Sequence, residues 1–184
     1  QKEYAVEDSD ITLQLKEHFE KELIRSNMMT LFKNIETPLI HVLASMEVEG
    51  VCLNTTFLKN LSKDLKNDIT LLETDIFDQA EENFNLASPK QLGIILFEKL
   101  KLSKKPKKTK TGQYSTSEDI LSYLAKENKI VDDILQWRSL QKLLNTYVTA
   151  LPKEINKKTK RVHTIYNQAV TSTGRLSSNK PNLQ

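Results

Sequence analysis

Thiol chemistry has almost no material in this sequence. Cys52 is the only cysteine among 184 residues. An internal disulfide is excluded, and so is a thiolate-based zinc site. A lone cysteine of this kind is expected to be a small buried apolar residue. Four glycines and five prolines are too few to interrupt the chain often, which excludes a loop-rich or repeat-turn architecture. No window approaches the roughly 18 uninterrupted apolar residues of a membrane span, and no charged-then-apolar stretch resembles a signal peptide. The expectation is a soluble, cytoplasmic protein with no membrane partner. The chain starts at Gln1, without an initiator methionine, as expected of a processed N-terminus or, the favoured reading, of a segment cut from a longer chain.

Net charge is small but unevenly spread. Residues 1–98 carry nine Lys/Arg against eighteen Asp/Glu, and residues 99–184 carry eighteen against six. From Glu98 to Glu118 there are seven lysines and no intervening acid, and after Asp133 only Glu154 is acidic. Such a split is expected where one region faces phosphates and another does not. A solvated lysine-rich loop is the alternative for the Glu98–Glu118 stretch taken alone.

The hydrophobic period is helical over most of the length, so the fold class is mainly α. Ile11, Leu15, Phe19, Leu23 and Met28 mark a first helix between Asp8 and Phe32. Ile35 to Met46 marks a second, separated from it by Glu36-Thr37-Pro38 and ended by Gly50. From Asn54, the series Leu58, Leu61, Leu65, Ile69, Leu72, Ile76 and Ala80 advances by threes and fours for about six turns. A stripe that long needs a partner of similar reach. Ile130 to Ile155 supplies one through Ile134, Trp137, Leu140, Leu144, Tyr147 and Leu151, which predicts two long antiparallel helices projecting as an arm.

Between them lies the expected tip. Ser88 reads as an N-cap with Pro89 at the first helical position and Gln91 placed for a capping box. That helix is predicted to reach about Leu100, followed by the lysine-rich loop and a short helix capped by Ser117. Tyr114 is expected on the loop surface and Trp137 in the core. After Pro152, Val162, Thr164 and Tyr166 alternate with His163, Ile165 and Asn167, predicting a strand that continues through Ala169 to Thr173. The rest of its sheet is expected from sequence outside these residues. His18, His41 and His163 are scattered and suggest no chemistry.

Two constellations suit nucleic acid. At about 100° per residue, Arg138, Lys142, Asn145 and Thr149 share a sector opposite Leu144 and Tyr147, a row that could donate to phosphate oxygens. An ordinary solvated helix face is the competing reading. The terminal stretch Thr173 to Gln184 is rich in Arg, Asn and Gln, which can donate to minor-groove acceptors that every correct base pair presents alike. On composition alone a polar turn competes.

Thr171-Ser172-Thr173-Gly174-Arg175-Leu176-Ser177-Ser178, followed by Pro181-Asn182-Leu183-Gln184, resembles the motif that opens the palm of family A DNA polymerases. The likeness extends upstream through Gln136 to Tyr147, Arg161 to Thr164, Ser88 to Leu92 and Ile95 to Leu100, and so covers nearly the whole chain. It implies a long antiparallel helical thumb arm with a small basic tip, plus a short β segment beginning the palm sheet. The implied domains are the end of a 3′–5′ exonuclease over 1–34, the thumb over 35–155 with its tip at about 84–127, and the palm start over 156–184. By the same resemblance Arg175, Asn182 and Gln184 touch the primer-template. Arg138, Lys142, Asn145 and Thr146, with the tip around Ser88, Lys90, Ser115 and Thr116, grip the duplex backbone.

Tyr4-Ala5-Val6-Glu7-Asp8 has the Tyr-x-x-x-Asp spacing of the third exonuclease motif of that family. There a carboxylate holds a divalent metal and a tyrosine hydroxyl orients water, so Asp8 and Tyr4 are the matching positions, as a partial site. An N-cap role for Asp8 is the alternative. The family performs templated DNA synthesis in replication and repair, using Mg2+ and deoxynucleoside triphosphates. Its polymerase carboxylates lie beyond the matched motif, so these 184 residues are expected to bind primer-template DNA as a monomer, inactive and without a bound metal. A stand-alone DNA-binding module, or a helical scaffold for an acidic protein, are the other readings.

Overall fold

The computed structural model describes residues 2–183, the side chain of Lys2 excepted. Its contacts divide into two compact units, residues 53–154 and residues 1–52 with 155–184.

The first unit is built on α4 (Thr55–Ala80). Asn54 caps it, its side-chain oxygen accepting from the Phe57 N–H at 2.9 Å. Leu65, Ile69, Ile76 and Ala80 of the stripe are buried, and Leu58, Leu61 and Leu72 pack beside them. Their partner is α7 (Lys129–Leu143). The pairing is antiparallel: Gln79 meets Asp133 and Glu73 meets Trp137, so residue numbers fall on one helix as they rise on the other.

Two buried polar ties set the register of that pair. The Trp137 indole N–H donates to Glu73 Oε1 at 2.9 Å. Asp133 is 5 % exposed, yet its Oδ2 accepts from Gln79 Nε2 at 2.8 Å and from Lys129 Nζ at 2.6 Å. The hydrogen bond to Asp133 raises the Lys129 pKa. A buried carboxylate is tolerated because its charge is met by donors.

The arm's second helix departs from a uniform period. Leu144–Val148 form a wide π-type turn, in which the Thr149 N–H reaches back five residues to the Leu144 carbonyl at 2.9 Å. The extra residue rotates the remainder of the helix about its axis. Val148 therefore becomes buried, while Tyr147 and Leu151 of the predicted stripe are only half-buried. A 3₁₀ turn, Leu151–Glu154, then ends the unit.

At the other end lies α5 (Pro89–Ile94), with Ser88 as N-cap accepting from the Gln91 N–H at 3.4 Å. The second half of the expected capping box does not form, because Gln91 Oε1 accepts instead from the Asn85 N–H at 2.7 Å. A wide turn, Ile95–Lys99, carries Ile95, Leu96 and Phe97 into the core. α6 (Glu118–Ala125) starts after Ser117, whose hydroxyl makes no cap bond. Its Leu121 and Leu124 join Ile130, Val131 and Ile134 in the same cluster.

In the second unit, α1 (Lys2–Arg25) starts earlier and stops sooner than its apolar period predicts. Asn27, at φ 57°, breaks it. α2 (Met29–Leu31) then runs through a wide turn, Phe32–Glu36, into α3 (Thr37–Glu49). The expected break at Glu36-Thr37-Pro38 is absent. The Thr37 N–H bonds the Phe32 carbonyl, and the wide turn directly before α3 accommodates Pro38, which has no N–H to donate.

Gly50 ends α3 at φ 69°, ψ −178°, a conformation largely reserved for glycine. A Cβ there would lie 2.8 Å from the His163 ring. His163 is held in place by the Glu47 carbonyl at 2.8 Å and Thr159 Oγ1 at 2.7 Å. Val51 pairs with Val162, which is fully buried. Cys52 is exposed, against expectation, because it lies in a connector between the Val51 bridge and the Asn54 cap that is too short to fold over a core.

β1 (Ile165–Asn167) pairs antiparallel with β2 (Ser177–Asn179), Tyr166 opposite Ser178. The strand thus ends at Asn167, not Thr173: Ala169 takes φ 53° and the chain turns. The partner strand comes from the terminal motif itself. Thr164 is the inward residue here, its hydroxyl lying 2.9 Å from the Asn179 carbonyl and 2.7 Å from that of Pro181. Among the described residues no helix is long and apolar enough to cross a membrane.

Ile76→Ala is expected to cost about 2–5 kcal/mol in urea unfolding, since Ile76 is wholly buried in the arm seam. Gly50→Ala should lower the stability of the second unit by about 1–3 kcal/mol, read as early loss of amide protection at Val51 and Val162.

Candidate nucleic-acid interface

The lysine-rich loop is not free-standing. Lys108 bridges Tyr114, and the Lys108 ammonium lies 5.0 Å from the centre of the Tyr114 ring. The same ring packs on Phe97 at 5.4 Å, and a Cβ on Gly93 would lie 2.9 Å from the Tyr114 Cβ. Tyr114 is therefore a packing anchor, not the surface residue the loop context predicts. Burial pushes its hydroxyl pKa up, and the Glu98 carboxylate adds to the shift. Gly93 makes this close approach possible, and the anchor presents Ser115 and Thr116 in a defined place.

Arg138 completes that placement. Its Nη1 donates to the Thr116 carbonyl at 2.7 Å and its Nη2 to Thr116 Oγ1 at 3.2 Å. Thr116 is buried and Arg138 is half-buried. Burial lowers the guanidinium pKa and nearby Glu118 opposes the shift; the group remains charged. Two of its donors are spent on the loop, and the remaining N–H groups are available for a ligand.

Ser115, Thr116, Arg138 and Asn145 line one open groove of about 690 Å³. Pro89 lines it too, next to Ser88, while Lys90 is exposed on α5. Lys142 instead lines a neighbouring hollow of about 290 Å³, whose lining it shares with Arg138 and also Glu118. The α7 row is thus not wholly free of acids, since α6 brings one alongside that inspection of α7 by itself does not reveal. Thr146 is exposed within the wide turn. Gln113 and Gln141 also line the larger groove. Gln141 falls about 60° from Arg138 on the helix, so helical spacing alone marks it; nothing local marks Gln113.

Arg175 and Asn182 belong to the other unit. Arg175 is exposed in the turn between the strands, where Thr171 Oγ1 donates to its carbonyl at 2.6 Å and Gly174 takes φ 73°. Asn182 is exposed, and its Oδ1 accepts from Ser178 Oγ at 3.4 Å. Gln184 lies outside the described residues. Tyr4 and Asp8 stand one turn apart on α1, both exposed. Asp8 lies inside the helix and does not cap it. Among the described residues no three His, Cys, Asp or Glu side chains converge as a metal site.

The family model described as DNA polymerase family A matches residues 55–184. The chain belongs to that family. It is 47% identical over 184 residues to DNA polymerase I of Synechocystis sp., covering 99% of this chain and 19% of the relative. With DNA polymerase I of Bacillus caldotenax the identity is 46% over 183 residues, 99% of this chain and 21% of the relative. The chain therefore spans about a fifth of the length of these curated relatives. A solved structure, the POL domain of Pol1 from M. smegmatis in complex with DNA primer-template and dNTP, is 34% identical. It superposes with a TM-score of 0.74 over 93% of this chain and 30% of that one. A mainly helical polymerase fold with a small two-stranded sheet is thereby established for this family member.

Arg138→Lys keeps the charge but loses the fork that holds both Thr116 oxygens. The expected cost is about 1–2 kcal/mol in thermal or urea unfolding, with faster amide exchange at residues 115–117.

Proposed function

We propose that this chain holds primer-template duplex DNA for a family A polymerase whose activity is templated DNA synthesis in replication and repair. The observation that carries the reading is the tip groove, where Ser115, Thr116, Arg138 and Asn145 converge beside a lysine-rich loop. Hydroxyl, guanidinium and amide donors gathered with excess positive charge suit phosphate oxygens irrespective of base sequence. The primer-template in the related Pol1 complex supports the same reading.

In this proposal residues 35–155 form the thumb, with Ser88, Lys90, Lys142 and Thr146 adding backbone contacts around the groove. Residues 156–184 begin the palm, and Arg175, Asn182 and Gln184 reach the minor groove near the primer end. Residues 1–34 end a 3′–5′ exonuclease, where Tyr4 and Asp8 are a partial site completed by carboxylates from elsewhere. Deoxynucleoside triphosphates and Mg2+ serve the complete enzyme, and the setting is the cytoplasm. The 184 residues alone bind duplex as a monomer and do not extend it.

Fluorescence anisotropy with a short labelled primer-template tests this. Affinity should fall steeply with salt, and Lys142→Gln should reduce the slope of log K against log salt by about one. Salt-independent or absent binding by the wild-type chain would sink the proposal.

A further inference from the structure

A second basic groove lies in the same unit, away from the tip. It is about 520 Å³ in volume and runs between the first three turns of α4 and the end of the arm at Val148, Thr149 and Pro152. Lys59, Lys63 and Lys66 line it at helical spacing of four and three, with Thr55 and Ser62 beside them. None of the lining residues is acidic. Asp64 and Asp68 lie about 100–180° round the helix from the three lysines. Among the described residues none of these lysines makes an ion pair.

Like charges four apart on a helix destabilise it, and among the described residues no ion pair offsets this set. The packing of α4 does not need them, since the core stripe lies on another face. Along the helix axis they span about 10 Å, the distance over which one strand of duplex carries about three phosphates. Lysines act as point charges on flexible stems, which suits a backbone whose phosphates shift with sequence. Thr149 lies about 16 Å along the helix from Arg138, past the wide turn that rotates it out of the α7 row. Its own hydroxyl is occupied by the Leu144 and Asn145 carbonyls, so the available donors are the lysines with Thr55, Thr56, Asn60 and Ser62.

We propose that Lys59, Lys63 and Lys66 form a second phosphate-backbone site at the end of the α4–α7 pair away from the tip, extending the DNA footprint beyond the tip groove. The inference rests on the DNA-holding reading proposed for the tip. It assigns to these three lysines a share of the salt-dependent affinity that the tip residues do not supply.

The test is a salt series of anisotropy titrations on the 184-residue protein with a primer-template duplex, comparing wild type with Lys59→Gln/Lys63→Gln/Lys66→Gln. The triple variant should keep its helical circular dichroism, lose about two to three from the slope of log K against log salt, and bind at least about tenfold more weakly at low salt. The corresponding triple Lys→Arg variant should retain both slope and affinity. A wild-type chain that binds, with an unchanged slope in the Gln variant, overturns this site and leaves the tip reading standing. Loss of binding in the Arg variant also overturns it, since the charge is then not what matters. Poly-glutamate binding as tightly as DNA, and only through these lysines, would assign the groove to an acidic protein instead. A wild-type chain that fails to bind duplex overturns both readings together.

Discussion

The seam between α4 and α7 is the constraint on which the arm depends. Its apolar side chains would tolerate sliding by a turn, because one Leu or Ile resembles another to a hydrophobic surface. The Glu73–Trp137 and Gln79–Asp133 contacts remove that freedom. Each places a polar group where water is excluded, so displacement would leave a buried donor or carboxylate unmet, at a cost larger than the bond itself is worth. Register at the seam in turn places Arg138, one residue past Trp137, against Thr116.

From there the arrangement of the groove follows by packing. Arg138 holds Thr116 from one side, and Tyr114, lodged against Gly93 and Phe97, holds the loop from the other. A lysine-rich loop with a glycine would otherwise sample many conformations. Fixing its end before a polyanion arrives reduces the entropy lost on binding. The same residue, Arg138, that attracts attention as a cation is thus also part of the framework presenting its neighbours.

Much of this can be read from residue order. The stripe from Leu58 to Ala80, the Asn54 and Ser88 caps, Trp137 as core and the grouping of Arg138 with Asn145 all follow from helical periodicity and local hydrogen bonding. Two departures share one cause. At Phe32–Glu36 and Leu144–Val148 the helix widens by one residue. Local patterns cannot anticipate that, so a uniform 100° step gives Tyr147 the place that Val148 takes, and the proline signal puts a break at Pro38 that does not occur. Cys52 and Tyr114 depart from expectation for a different reason: exposure depends on what lies across from a residue, and neighbours in sequence do not say.

Sequence by itself determined the helical class, the antiparallel arm, the charge division and the family, because periodicity, capping and a long ordered motif are properties of residue order. Tertiary structure alone decided that Arg138 is bound to Thr116, that Glu118 stands beside Lys142, that the terminal motif pairs with its own upstream strand, and that Lys59, Lys63 and Lys66 share a groove with Thr149. Each of these joins residues distant along the chain. Their proximity comes from burying a common core, and no local pattern encodes it.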